Sequence, residues 1–279
     1  MSATERIIDI HRILVALDAS PQSLAALEVA AELAAKYGAE LIAVFVEDIN
    51  LVRLAEFPFA QEIGYFSAIS RQLDSQHIER ELRAHARWIE RTMATIAKRT
   101  NLRWSFHTTR GAISGELLSA ALESDLIILG KTGWSGHRQL GSTARSLVVQ
   151  APLPTLFLQR SLRSGAPVIV AFEGSPSGRK ALAIARLLRL SDNPFTVLVL
   201  ATDLEEANRL QSEAQSLLEP AGIPASYRWL SDMDGQKLAW LVRLEGCEVM
   251  VVPADSQFFS DDILLSMVNE TDCAVLLVR

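Results

Sequence analysis

The chain has 279 residues, of which 49% are hydrophobic and 22% are charged, and its formal net charge is −6. This length suggests about two domains, and the composition is that expected of a soluble globular protein. The acidic balance and the absence of a basic run exclude a general binder of nucleic acid or of anionic membranes.

The first half of the sequence alternates short apolar runs with longer amphipathic segments. This pattern predicts strands at 13–17, 41–46, 104–108, 125–129 and 155–158, and helices at 23–37, 68–98, 115–122 and from Ser142. Residues 49–66 fit neither period. We expect the aromatic side chains of this insert to cover the core beneath a long loop rather than to form a lid or an apolar groove.

After a short polar linker, the same order of elements returns in the second half. It predicts strands at 168–172, 196–201, 226–230, 248–252 and 275–278, and helices near 177–190, 204–218, 235–245 and 261–269. The phrase VALDASP at 15–21 also returns, as VAFEGSP at 170–176. Such a repeat indicates a duplicated domain, and alternating strands and helices indicate parallel sheets with right-handed crossovers. We therefore predict an α/β protein with two tandem, doubly wound, five-stranded domains, at 1–160 and 166–279.

A glycine-rich loop, GKTGWSGHRQLGST at 130–143, leaves a predicted strand and enters a helix. Glycines let backbone N–H groups approach an anion, and the N-terminus of the helix adds donors and partial positive charge. Ser142 and Thr143 add hydroxyl groups, Arg138 adds charge, and His137 is the one histidine expected to contact phosphate. A tight loop whose glycines only satisfy turn geometry remains the alternative.

Asp18 ends the first predicted strand, at the edge of the sheet where ligands of open α/β folds bind. Its carboxylate suits a ribose hydroxyl or an adenine amine, and the alternative is an acid that stabilises the first turn of a helix. The loop is not a P-loop, because the first glycine of that motif would fall on Asp125. No histidine has a convincing metal-ligand spacing, so we expect no metal bound by the protein alone.

The order of these segments resembles the universal stress protein family in its tandem form. The residues that carry the resemblance are 13–20, Gly111, 125–130, Gly141-Ser142 and 151–158. The family implies an adenine-nucleotide alpha-hydrolase-like fold, and its ATP-binding members carry a loop of the pattern G-x2-G-x9-G-[ST]. The implied nucleotide-binding positions are Asp18, Val46, Gly130, Gly133, Gly141 and Ser142, with Ala16 and Leu17 on the adenine side. Lys131 and Thr143 complete the predicted set.

The loop departs from the family pattern in length. Gly133 and Gly141 are separated by seven residues, two fewer than in the pattern. A shorter loop offers fewer N–H groups to a triphosphate, so the expected ligands are AMP, ADP or more weakly bound ATP, with Mg²⁺.

The second half lacks this loop. Alignment of the last strands places Ser260 opposite Gly141 and Asp261 opposite Ser142, and Glu173 replaces Asp18. Carboxylates at a helix N-terminus occupy it and repel an anion. We therefore expect the second half to be structural, pairing edge 274–278 with edge 155–158 of the first half in an intrachain pseudo-dimer.

These features predict a regulatory stress-response protein in which a nucleotide orders the loop at 130–143 and changes the binding of an unidentified protein partner. An interaction scaffold that binds no nucleotide is the alternative, and a homodimer also remains open. We expect no enzymatic activity beyond slow ATP hydrolysis, because only Asp18 is near enough to act as a base.

No apolar stretch reaches the length that spans a membrane, and the first residues lack a signal-peptide core. The two cysteines, Cys247 and Cys273, fall in apolar runs and are expected to be buried thiols. The expected location is therefore the cytoplasm.

Overall fold

The computed structural model describes residues 9–57, 61–63, 70–72, 74–133, 139–163, 167–188, 195–231 and 235–279. Strands and helices alternate through both halves, as the sequence predicts. The strands are β1 Arg12–Leu17, β2 Glu40–Asp48, β3 Gln61–Ile63, β4 Ser70–Gln72, β5 Trp104–Gly111, β6 Leu126–Gly130, β7 Thr155–Leu158, β8 Val168–Phe172, β9 Phe195–Leu200, β10 Ala225–Leu230, β11 Val249–Pro253 and β12 Ala274–Val278. The helices are α1 Pro21–Tyr37, α2 Ile49–Ala55, α3 Ser75–Thr100, α4 Ile113–Ala121, α5 Ser142–Gln150, α6 Pro176–Leu188, α7 Leu204–Leu218, α8 Gly235–Leu244 and α9 Asp261–Glu270, with a 3₁₀ turn at Glu219–Ala221.

Among the residues described, ten strands form one continuous sheet in the order β10-β9-β8-β11-β12-β7-β6-β1-β2-β5. Within this sheet, the pairings inside each half are parallel, and β3 and β4 form a separate antiparallel pair. β7 and β12 join the halves in antiparallel register, with Leu156 opposite Leu276. The predicted pairing of edges 155–158 and 274–278 is thus confirmed, and it leaves neither of these apolar edges open to another chain.

Helices cover both faces of the sheet. Consecutive residues of a strand point to opposite faces. Ile13 therefore belongs to the apolar cluster that includes α1, α3, α6 and α7, whereas Leu14 belongs to the cluster that includes α4, α5, α8 and α9. Each of these two apolar clusters runs through both halves. The halves therefore share a three-layer α/β architecture in which one sheet lies between two layers of helices.

The insert after β2 differs from the prediction because it contains a helix, α2, where no periodicity was evident. Asp48 caps this helix by accepting a hydrogen bond from the Asn50 N–H at 2.9 Å. Val52 and Ala55 pack against Ile78 of α3. A helix of seven residues is too short to show a clear period.

The long helix α3 begins at Ser75 rather than at 68. Asp74 caps it by accepting from the Gln76 N–H at 3.1 Å, and the preceding residues 70–72 pair with β3. The expectation that Phe57 covers the core is wrong, because 52% of this residue is exposed. Phe59, Tyr65 and Phe66 lie outside the described residues.

Cys247 and Cys273 are free and buried, as predicted. Within the described part of the chain, no helix has the length and apolar character needed to cross a membrane.

Candidate ligand site

A cavity of about 280 Å³ lies at the carboxyl ends of three neighbouring strands, β6, β1 and β2. These strands are parallel, so their ends meet at one edge of the sheet. The cavity is lined by all ten residues predicted from the sequence: Ala16, Leu17, Asp18, Val46, Gly130, Lys131, Gly133, Gly141, Ser142 and Thr143. The fold thus brings the predicted set together, and its role in nucleotide binding remains a prediction.

The cavity also has walls that sequence reasoning missed: Ser20, Ser23, Val44, Ile113, Leu117, Leu129, Thr132 and Ala144. Val44 could have been found from Val46, because residues two apart in a strand share a face. Ile113 and Leu117 lie one turn apart on α4, which gives no signal before the sheet order is known. Four of the missed residues, Val44, Ile113, Leu117 and Leu129, give apolar walls to the cavity that the N-terminus of α5 also lines.

Helix α5 begins at this cavity without a side-chain cap. Gly141 is the N-cap residue, with extended backbone angles, and makes no side-chain cap hydrogen bond. The first N–H groups of a helix have no partner within the helix, and they carry partial positive charge. Ser142 and Thr143 add hydroxyl groups at the same point. This end of the cavity therefore suits an anionic group.

The two glycines that begin and end the loop serve different purposes. A Cβ on Gly130 would lie 2.8 Å from the Cβ of Gln22, so the close passage of α1 requires glycine there. A Cβ on Gly141 would lie 3.6 Å from the Lys131 carbonyl oxygen, which is ordinary contact. The protein's own packing thus explains Gly130 and leaves space beside Gly141.

Asp18 both supports the turn after β1 and lines the cavity. Its Oδ1 accepts from the Ser20 N–H at 2.9 Å, and a Cβ on Gly133 would lie 3.0 Å from its Oδ2. Ser20 then caps α1 by accepting from the Ser23 N–H at 3.2 Å. Asp18 thus supports the turn before α1 rather than the first turn of the helix, which contains no acidic residue. Its role toward a nucleotide stays a prediction.

Lys131 lines the cavity, but its ammonium group is directed into the second half. Its Nζ donates to the Thr271 carbonyl at 2.8 Å, to the Thr271 hydroxyl at 3.2 Å and to the Cys273 carbonyl at 2.7 Å. The residue is only 3% exposed, and burial lowers the pKa of the ammonium group from 10.5 to about 8. Lys131 thus lines the cavity as a predicted position while its charge is directed away from it, and its part in nucleotide binding stays a prediction. Sequence reasoning could not find these partners, which lie 140 and 142 residues away.

The centre of the loop, 134–138, lies outside the described residues. The predicted phosphate contact of His137 and the predicted charge of Arg138 fall there, and both stay predictions. Within the described part of the chain, no group of three or more His, Cys, Asp or Glu residues is arranged to hold a metal ion.

The corresponding place in the second half is built differently. Ser260 caps α9 by accepting from the Ile263 N–H at 3.4 Å, and Asp261 and Asp262 occupy the first turn. Gly141 and Ser260 are both N-cap residues, which confirms their alignment. Glu173 accepts from the Ser175 hydroxyl through Oε1, and burial raises the pKa of its carboxyl group. The acidic first turn of α9 disfavours a phosphate there.

Comparison with known proteins agrees with this architecture. The model of the universal stress protein family matches residues 9–159. The chain therefore belongs to the universal stress protein family, whose members are stress-response proteins. The matched region ends before the second half begins. No curated protein matches the chain.

Solved structures share the fold over nearly the whole chain. A universal stress protein from Archaeoglobus fulgidus DSM 4304 has a TM-score of 0.73 at 13% identity, covering 98% of this chain and 97% of that chain. A protein from Pseudomonas aeruginosa UCBPP-PA14, described as a universal stress protein, has a TM-score of 0.60 at 12% identity, covering 98% of this chain and 94% of its own. At these identities the likeness shows the fold alone.

Proposed function

We propose that this protein is a stress-response regulator that binds an adenine nucleotide in the cavity of its first half. The observation that carries the proposal is a cavity that combines apolar walls with the uncapped N-terminus of α5. A base fits the apolar side, and phosphate oxygens accept from the N–H groups of the helix. Asp18 lines the same cavity and offers a carboxylate to a ribose hydroxyl.

The size of the site favours a nucleotide with few phosphates. The cavity of about 280 Å³ is near the lower end of the ~300–1,000 Å³ typical of small-molecule sites. Since the ammonium of Lys131 is held by the second half, backbone N–H groups and the hydroxyls of Ser142 and Thr143 remain to bind phosphate. We expect ADP and AMP to bind at least as tightly as ATP. Mg²⁺ bound to the phosphate oxygens would screen the charge of a polyphosphate.

A titration of nucleotide-free protein by calorimetry tests the proposal, with AMP, ADP, ATP and GTP, each with and without Mg²⁺. The diagnostic variant is Ser142→Asp, which gives α5 the residue that begins α9. The new carboxylate stabilises the N-terminus of the helix by about 0.3–1 kcal/mol, but it repels phosphate. We expect affinity to fall by about a hundredfold or more while the melting temperature stays the same or rises.

The matched control is Asp261→Ser, which alters the equivalent position of the second half and should leave affinity unchanged. Equal binding by the wild type and Ser142→Asp would reject the assigned site. A wild type that binds none of the nucleotides would reject the function itself.

An interaction scaffold is the second candidate, and one observation favours it. Leu51, Leu54 and Phe57 follow one another at intervals of three residues and are 41%, 51% and 52% exposed. Exposed apolar side chains grouped in this way are typical of a contact with another protein. A melting temperature unmoved by ATP and Mg²⁺ would favour the scaffold, because a bound ligand stabilises the folded state by mass action.

The proposed role is binding rather than catalysis. Sustained ATP turnover that is lost in Asp18→Ala would instead indicate an enzyme.

A further inference from the structure

We infer that the second half controls the cavity of the first half, because residues 269–273, which comprise the last two residues of α9 and the turn to β12, hold both ends of its ligand-binding loop. This segment is called the α9–β12 segment below. The inference rests on the proposed function, since it concerns the affinity of the same site. It assigns to the second half a positioning role in ligand binding, beyond its expected structural one.

The first end of the loop is held through Lys131, directly after β6. Its ammonium donates three hydrogen bonds to the segment, two to Thr271 and one to the Cys273 carbonyl. Its backbone carbonyl accepts from the Gly141 N–H at 2.9 Å. Lys131 therefore connects the segment to the residue at which α5 begins.

The other end of the loop is held through Leu140. Its backbone N–H donates to Oδ1 of Asn269 at 2.8 Å, across 129 residues of sequence. Leu140 is buried and immediately precedes Gly141. A shift of Leu140 would therefore move the N-cap of α5 and the groups that line the cavity.

The link through Lys131 is not repeated at the matching position of the second half. Ala254 corresponds to Lys131, because its N–H donates to the Val278 carbonyl at 2.8 Å as that of Lys131 donates to Leu158 at 2.7 Å. Alanine has no side-chain donor, so the second half has no such link back to the first at this position. The second half contacts the first through another side chain, Arg279, which donates to the Ala151 carbonyl at 2.9 Å. The hydrogen bonds of a side chain directly after the fourth strand of the half are therefore specific to Lys131, in the half with the open helix N-terminus.

Some residues at the two ends of the loop also line a second cavity, between the halves. Lys131, Thr132 and Leu140 line a second cavity, of about 550 Å³, whose other wall includes Asn269 and Asp272. Lys131 and Thr132 line the first cavity as well. The same residues therefore separate the proposed ligand site from the groove between the halves.

Asn269 gives the sharpest test, because it is exposed and its replacement creates no cavity in the core. The Asn269→Leu variant nearly keeps the shape of the side chain but removes the oxygen that accepts the hydrogen bond from the Leu140 N–H. We expect hydrogen exchange of the Leu140 amide, measured by NMR without nucleotide, to accelerate at least about tenfold. We also expect nucleotide affinity to fall by about two- to tenfold, the change typical of one lost hydrogen bond.

Two control variants separate positioning from simple destabilisation. Asn269→Asp keeps an acceptor oxygen and should restore the protection of the Leu140 amide. Lys36→Met removes a bond between the halves far from the loop, from Lys36 Nζ to the Leu187 carbonyl at 3.1 Å. It should leave both exchange at Leu140 and affinity unchanged.

Each outcome decides the inference. Unchanged exchange in Asn269→Leu, or faster exchange with unchanged affinity, would overturn it, as would an equal loss of affinity in Lys36→Met. If the wild type binds no nucleotide, the proposed function is what fails, and exchange at Leu140 alone then tests the hold on the loop. In that case lost protection supports the hold and unchanged protection overturns it.

Discussion

The two halves build the same strand–loop–helix unit and complete the helix N-terminus in opposite ways. In the first half, Gly141 leaves the start of α5 without a side-chain cap, beside a cavity. In the second half, the Ser260 side chain caps α9, and Asp261 and Asp262 follow it. The comparison teaches that a few residues at one helix start decide whether this fold offers an anion site or a self-contained cap.

The turn that precedes each first helix shows a second difference. Ala19 and Gly174 occupy the same place in the two halves, and both have left-handed backbone, with φ of 65° and 78°. Glycine adopts this conformation freely, whereas alanine is strained in it by about 1–2 kcal/mol. The first half therefore keeps a strained residue directly after Asp18, beside the candidate site.

The largest expected effect comes from exchanging the residue at this turn in the second half. In Gly174→Ala the new Cβ would lie 2.5 Å from Cδ2 of Leu210, a buried residue of α7, and would also be strained at φ 78°. Backbone strain and overpacking together should lower the free energy of unfolding by about 2–4 kcal/mol. Urea denaturation monitored by circular dichroism measures this change.

The control for this variant is Gly222→Ala. Gly222 has φ of 59° and nothing within 4 Å of an added Cβ, so it carries the backbone strain alone. We expect the free energy of unfolding of Gly222→Ala to be lower than that of the wild type by about 1 kcal/mol. Equal losses in the two variants would show that α7 does not press on the turn.

A smaller effect is expected from Lys131, whose counterpart in the second half is Ala254. The folded pKa of its ammonium is about 8, against an ordinary value of 10.5. Between these pH values the unfolded state binds more protons, so the contribution of Lys131 to stability rises as the pH increases and is lost as the pH falls through 8. The free energy of unfolding of the wild type, relative to that of Lys131→Met, should increase by about 1–3 kcal/mol between pH 7.5 and 10.

Urea denaturation of both proteins across this pH range checks the prediction. Subtracting the free energy of unfolding of Lys131→Met from that of the wild type removes the contributions of groups that titrate in both proteins. A difference that is flat with pH, or that falls as the pH rises, would show that Lys131 keeps its ordinary pKa.

Much of this architecture could be predicted from the sequence because each strand or helix depends on a hydrophobic pattern among its own consecutive residues. Buried strands such as 168–172 and the regular helix at 204–218 appear with the predicted bounds. The helix α2 was missed because its seven residues are stabilised by the cap at Asp48 and by contact with α3. Its formation depends on packing against a helix that begins twenty residues later along the chain.

The position of the candidate site within the first half could be predicted for the same reason, whereas its contacts with the second half could not. Parallel strands bring Asp18 and Gly130 to one edge whatever the details of packing. The direction of the Lys131 side chain depends instead on the antiparallel pairing of β7 with β12, which brings Thr271 within reach. No local pattern around Lys131 contains that information.

The smallest expected effect is the reverse exchange in the first half, Ala19→Gly. Glycine relieves the strain at φ 65°, but it also increases the conformational entropy of the unfolded chain, which offsets about 0.4–1 kcal/mol. We therefore expect a net gain of only about 0.5 kcal/mol in the free energy of unfolding. Because Ala19 lies between Asp18 and the cap Ser20, the freer turn should also weaken nucleotide binding slightly. Denaturation and calorimetric titration of the same sample measure both changes, and a loss of stability would show that the strain at Ala19 is smaller than its backbone angle implies.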